Sequence, residues 1–150
     1  MSPMISFQQS KFKRAVWYVA CSLQLAACSQ STSSDTKFQQ YYVEGEQLYI
    51  KNCSNCHQKK GGGLGRVYPP LNKSDYMEQY FEEVICSMKY GKDGEINVNG
   101  KKYNKKMYGI ASLTSLEIAE LATYIYNTWE HHRGIIEMKE VDKVLTKCQE

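Results

Sequence analysis

Residues 52–63 read NCSNCHQKKGGG, and the fold of this chain turns on how that run is read. Cys53 and Cys56 stand three positions apart, and His57 follows at once. Two thiols and an imidazole so placed suit a metal ion, a disulfide that exchanges with partner thiols, or a covalently attached cofactor. A thioredoxin-type pair opens a helix just after a strand, within alternating strands and helices; no strand pattern precedes Cys53. A structural zinc site needs four ligands, and the sequence holds no second Cys-x-x-Cys or His-x-x-x-His pair.

The third chemistry remains. Cys-x-x-Cys-His is the attachment signature of a c-type haem. Both thiols add to vinyl groups on one edge of the ring, and the adjacent histidine reaches the iron.

Toward the N-terminus, Lys11, Lys13 and Arg14 precede the apolar run AVWYVACSLQLAA, residues 15–27. A basic segment followed by a short apolar one predicts a secretory signal. The run is too short to span a membrane as a mature helix. Its end, Leu25-Ala26-Ala27-Cys28, resembles the bacterial lipobox. That resemblance implies cleavage before Cys28 and a diacylglycerol on its thiol. Cys21 is the poorer candidate, with Tyr18 at the outer position. The organisation expected is a signal peptide over 1–27, a polar Ser-rich tether over 28–40 carrying the lipid on Cys28, a globular domain over 41–130 and a helical extension over 131–150. Export places that domain on the periplasmic side of a bacterial membrane.

The formal net charge is +3, from 19 basic and 16 acidic residues. Removing residues 1–27 takes away Lys11, Lys13 and Arg14, leaving the mature chain near neutral. Nucleic-acid binding thereby loses its compositional support. Cys86 and Cys148 remain once Cys21, Cys28, Cys53 and Cys56 have other fates. In an oxidising compartment two such thiols tend to pair, which predicts a Cys86–Cys148 disulfide.

Downstream, the pattern predicts a helix over 41–52, with Gly45 costly inside it by roughly 1 kcal/mol. Lys59–Gly65 is a glycine-rich loop that lacks the Lys-Ser/Thr of a phosphate cradle. Tyr68-Pro69-Pro70-Leu71 reads as a rigid turn. Residues 74–90 predict an amphipathic helix capped by Ser74, with Met77 and Met88 on its apolar face. Ile96 and Val98 alternate with polar residues and Asn99-Gly100 follows, which predicts a tight two-stranded hairpin leading to Met107. Thr114 with Glu117 forms a capping box for a helix reaching His131. The tail from Ile136 predicts a short helix with Cys148 on its packing face.

In order, Gly45-x-x-x-Tyr49, Cys53-x-x-Cys56-His57, Pro69-Pro70-Leu71, Met107 and Leu121-Ala122-Thr123-Tyr124 resemble the class I, mono-haem cytochromes c over residues 41–130. The resemblance implies an all-α cytochrome c fold with a small β-hairpin insertion and a C-terminal helical extension. It implies one covalent haem c, with Cys53 and Cys56 as thioethers and His57 as proximal iron ligand. Pro69 would accept the other imidazole N–H, Leu71 would pack on the ring and Met107 would be the distal ligand. Met77, Met88 and Met138 are rival thioethers whose helical spacing suits packing. His131 and His132 sit past a helix end, where solvation is expected. With both axial positions filled, the implied function is single-electron transfer and not catalysis. The alternative is a haem enzyme or enzyme subunit, such as a peroxidase or the electron-accepting subunit of a periplasmic dehydrogenase. Redox proteins, such as a membrane oxidoreductase or terminal oxidase, are the implied partners. Lys59, Lys60, Lys101, Lys102, Lys105 and Lys106 flank the motif and the Met107 loop, as either a docking ring or a solvated surface.

Overall fold

A computed structural model describes residues 33–148, and the chain from Ser34 onward forms one compact unit. The signal peptide and the lipidation of Cys28 lie outside the described residues. Six helices are described: α1 (Ser33–Asn52), α2 (Ser54–His57), α3 (Asp75–Gln79), α4 (Phe81–Tyr90), α5 (Ser115–Ile125) and α6 (Met138–Leu145). Four short strands interrupt them: β1 (Gly91–Lys92), β2 (Ile96–Val98), β3 (Lys101–Tyr103) and β4 (Met107–Tyr108). The fold is thus all-α with a small β insertion.

Residues 33–40 lie in helix α1, where the sequence reading expected tether; residues 28–32 lie outside the described residues. Asp35 in the first turn complements the helix dipole. Phe38 and Tyr42, four apart and so on one face, pack ring on ring at 5.9 Å. Lys37 adds an ion pair to Glu137 at 2.6 Å, exposed enough to contribute little. The helix then crosses α5 at Gly45. A Cβ there would lie 2.7 Å from the Tyr124 Cβ and press on the Glu120 carbonyl. The missing side chain therefore sets how closely the two helices approach. Tyr124 packs against Tyr42 and Tyr49 beside that crossing, with ring centroids 5.1 and 5.5 Å apart.

The expected single helix over 74–90 is two. Ser74 caps α3 by accepting the Met77 N–H at 3.3 Å. Tyr80 then leaves the helical region, at φ −121° and ψ 48°, and α4 starts afresh. Tyr126 uses the break: its hydroxyl donates to the Met77 carbonyl at 2.8 Å. Periodicity could not reveal the break, because Met77, Ile85 and Met88 keep helical spacing through it and all three are buried. Gly91 ends α4 in the left-handed region, at φ 85°.

The hairpin pairs Ile96 with Tyr103 and Val98 with Lys101. Asn99 and Gly100 both have positive φ, 51° and 73°, as a two-residue turn of this hand requires. A second pairing, β1 with β4, sets Lys92 opposite Met107. Two-residue strands carry no period, so the sequence showed no sign of it.

Helix α5 has the expected capping box, with Thr114 and Glu117 bonded reciprocally. It stops at Ile125, short of the expected His131. Trp129 and Glu130 turn left-handed at φ 54° and 77°. Asn127 clasps Gly134, donating to its carbonyl and accepting its N–H, both at 2.7 Å. The segment after 130 is no appendage. Ile136, Val141 and Val144 are buried in the same core as Tyr49, Ile85 and Leu121. A Cys86–Cys148 disulfide joins α4 to the end of the tail, with Cα atoms 5.7 Å apart and a sequence separation of 62. Closing a loop of that length stabilises a domain by roughly 2–4 kcal/mol.

Candidate haem-binding site

Helix α1 runs into α2 with one residue between, and this delivers the motif. His57 N–H donates to the Cys53 carbonyl at 3.0 Å, so positions 53 to 57 form one helical turn. Residues three and four apart on a turn share a face. Cys53, Cys56 and His57 accordingly line one cavity of about 420 Å³. Pro69 and Leu71, Met77 and Val84, Met88 and Ile96, Val98 and Met107 line it too. The wall is mainly apolar with few polar groups, as a cofactor pocket requires.

His57 is buried, and burial lowers its pKa despite the opposing effect of a backbone bond to Pro69. It is therefore neutral. Its Nδ1 lies 3.0 Å from the Pro69 carbonyl oxygen. A carbonyl only accepts, so Nδ1 carries the proton and Nε2 keeps a lone pair for a metal. Burial and the nearby Cys56 push the Cys53 thiol up to about 12. A thioether, which has no proton to lose, suits that apolar position.

The glycine-rich loop supports the proline turn. Gly61 carbonyl accepts the Leu71 N–H at 2.7 Å and the Asn72 N–H at 3.0 Å, while Gly63 N–H donates to the His57 carbonyl at 3.0 Å. At Gly63, φ is +68° and a Cβ would lie 2.7 Å from the Pro69 carbonyl carbon. Glycine there lets the proline carbonyl come within reach of the imidazole.

Met107 is partly buried on β4, far along the chain from the motif. The β1 pairing holds it, and Ile110 N–H bonds the Met88 carbonyl at 2.9 Å just beyond it. Lys89 ties down the following loop through the Ala111 and Leu113 carbonyls, at 2.7 and 2.6 Å. Met77 and Met88 also line the cavity, but both are packed into the helical core. Met138 is exposed on α6. His132 is exposed, as expected.

His131 is a correction. It is 5% exposed, and its Nε2 lies 3.0 Å from the Leu71 carbonyl. Its Nδ1 is 3.6 Å from a Glu78 carboxylate oxygen. Helical periodicity placed it past a helix end; the left-handed residues before it fold it back instead. The one signal in the sequence was Asn127 seven residues ahead of Gly134, a pair able to close a loop. Of the lysines, Lys102 pairs with Glu95 at 2.8 Å and Lys106 with Asp93 at 3.1 Å. Lys59, Lys60, Lys101 and Lys105 are exposed.

Comparison with known proteins agrees with the geometry. The cytochrome c family pattern matches residues 42–129, from α1 through Trp129. The chain belongs to the cytochrome c family. Cytochrome c-552 of Thermus thermophilus is 34% identical over 91 residues, covering 58% of this chain and 69% of that protein. A second cytochrome c-552, from another strain of that species, shows the same identity, with 61% of its length covered. The cytochrome c subunit of a quinone alcohol dehydrogenase from Gluconacetobacter polyoxogenes is 48% identical over 29 residues, which is 6% of that subunit. This chain is a class I cytochrome c, and the family's cofactor is a covalently bound c-type haem with iron. The site fits that group. It offers two thiols on one helical face, a neutral imidazole with its Nδ1 committed elsewhere, and an apolar cavity that they share. Among the described residues no three His, Cys, Asp or Glu side chains cluster as a metal site would need, so zinc has no comparable claim.

Proposed function

We propose that this cytochrome c is a lipid-anchored single-electron carrier with His/Met axial ligation. The observation that carries the reading is the His57 Nδ1–H donated to Pro69, inside a cavity shared with Cys53, Cys56 and Met107. Bound haem supplies reversible one-electron chemistry. The chain's own residues do the rest. Cys53 and Cys56 would hold the group through their thiols, and His57 would present Nε2. Pro69 fixes the imidazole plane, Leu71 would pack against the group, and Met107 would offer the thioether. Met107 is favoured over Met77 and Met88 because those two serve the helical core. With His57 and Met107 both committed to the group, no position would be left for a substrate, which supports electron carriage over substrate turnover.

The organisation proposed is a signal over 1–27, lipid on Cys28 and one cytochrome c domain that takes in α1 and the segment after 130, whose Ile136, Val141 and Val144 share its core. Cys28 stands shortly before Ser33, where α1 begins. No described helix is long and apolar enough to cross a membrane. The anchored protein would work on the periplasmic side. A denaturing mass measurement of the exported protein tests haem and lipid together. We expect the mass of the chain from Cys28 plus one haem plus acyl groups, with the acyl mass lost in Cys28→Ala. A chain without covalent haem would sink the reading.

The exposed Lys59, Lys60, Lys101 and Lys105 suit docking on an acidic redox partner, such as a membrane oxidoreductase or terminal oxidase. Electron-transfer rates to that partner should fall as ionic strength rises; rates indifferent to salt would count against the lysines. The short likeness to the dehydrogenase subunit favours one second reading, an electron-accepting subunit for a periplasmic dehydrogenase. Co-purification with a dehydrogenase would select it.

A further inference from the structure

We infer that His131 is a positioning residue for the proximal ligand, acting through the proline turn from behind. This rests on the reading of His57 as that ligand. The turn at residues 69–72 is held from three sides. His57 donates to the Pro69 carbonyl at 3.0 Å. Gly61 accepts from Leu71 and Asn72. His131 Nε2–H donates to the Leu71 carbonyl at 3.0 Å, two residues beyond Pro69. The first two contacts come from the motif's own loop. The third ties the turn to the distant chain after α5, and an exposed Lys73–Glu130 ion pair at 2.9 Å joins the same two segments just beyond it.

The chain is bent to make that contact. Trp129 and Glu130, neither a glycine, both sit in the left-handed region. Such a residue is strained and persists only where its surroundings hold it. The Asn127–Gly134 clasp and the Arg133 N–H bond to the Tyr126 carbonyl at 3.0 Å hold it here. The strained pair aims two neighbours at one target. The Trp129 ring covers Gly61, where a Cβ would meet it at 2.7 Å. His131 caps Leu71. Both press on the loop that carries the acceptor for His57. Glu78 faces the remaining nitrogen of His131 at 3.6 Å, beyond hydrogen-bond reach, so the Leu71 carbonyl is the partner that fixes the ring.

The chemical consequence has a definite sign. A firm Nδ1–H···O=C bond makes the imidazole a stronger donor and favours the ferric state. Releasing the turn weakens that bond and raises the reduction potential. Three variants separate this from simple packing. Glutamine can place its amide nitrogen near the position of Nε2; asparagine is polar but too short; leucine fills space without a donor. In the haem-loaded protein, His131→Asn and His131→Leu should shift the ferric-to-ferrous ratio at a fixed applied potential by about threefold toward ferrous. That equals about 28 mV at about 59 mV per tenfold for one electron. His131→Gln should return near the wild-type value. The iron-shifted proton resonances of the His57 ring in the ferric protein should move in step. If the leucine variant fails to fold, the asparagine–glutamine contrast still decides. Equal potentials and unmoved His57 resonances across that pair would overturn the positioning role alone. Absence of iron-shifted His57 resonances in the wild type would overturn the ligand reading, and the positioning role with it.

Discussion

Gly45→Ala is expected to lower the thermal midpoint of the haem-loaded protein by about 10–15 °C, and Gly45→Val to leave little folded protein. Two effects compete at this position. Alanine in a helix interior is favoured over glycine by about 1 kcal/mol. Against it stands the α1–α5 crossing, where a Cβ would come 2.7 Å from the Tyr124 Cβ and meet the Glu120 backbone. Backbone cannot swing aside, so the helices must separate. That loosens Tyr49, Tyr124 and Tyr42, which pack at the crossing. Overpacking of this kind typically costs about 1–3 kcal/mol and occasionally more, and a buried backbone clash that parts two helices falls above that range, at about 4 kcal/mol. A net loss of about 3 kcal/mol corresponds to the stated shift in a domain of this size. It is also a large share of the roughly 5–15 kcal/mol typical of a whole domain. Thermal unfolding followed by circular dichroism measures it. A midpoint at or above wild type would show that the crossing is not the reason for glycine at 45.

Met107→Ala is expected to remove the red-end thioether–iron absorption band while the denaturing mass still reports one covalent haem. Attachment depends on Cys53 and Cys56, far upstream in the chain, so it should survive. A thioether stabilises ferrous iron relative to ferric, and its loss should lower the reduction potential by roughly 0.1–0.3 V, within the span of about 0.8 V that axial ligands command. Little stability should be lost, since Met107 is only partly buried and sits outside the helical core. An unchanged band would move the distal assignment to Met77 or Met88, which line the same cavity.

The proximal half of the site was the most legible part in the sequence, for a local reason. Cys53, Cys56 and His57 work from a single helical turn, so spacing alone puts them on one face. The hairpin turn and the capping box were equally local, since Asn99-Gly100 and Thr114/Glu117 each act within one turn of chain. Gly45 stood out as a misfit in its own helix, and that misfit pointed to a crossing. Other features were hidden because their causes lie far apart. The break at Tyr80 is used by Tyr126, a residue with no sequence relation to it. The β1–β4 pairing that carries Met107 joins segments too short to have a period.

By itself the sequence pointed to the cofactor chemistry, to His57 as the candidate proximal ligand and to the order of the main helices. Each rests on spacing within a turn or on a cap within a few residues. Tertiary structure alone decided that residues 33–40 are helical, where α5 ends and where His131 lies. Helical propensity carries on past Ile125. Only the clasp between Asn127 and Gly134, and the space left by Gly61 for the Trp129 ring, turn the chain back on itself. The histidine that periodicity placed in solvent is thereby buried against Leu71.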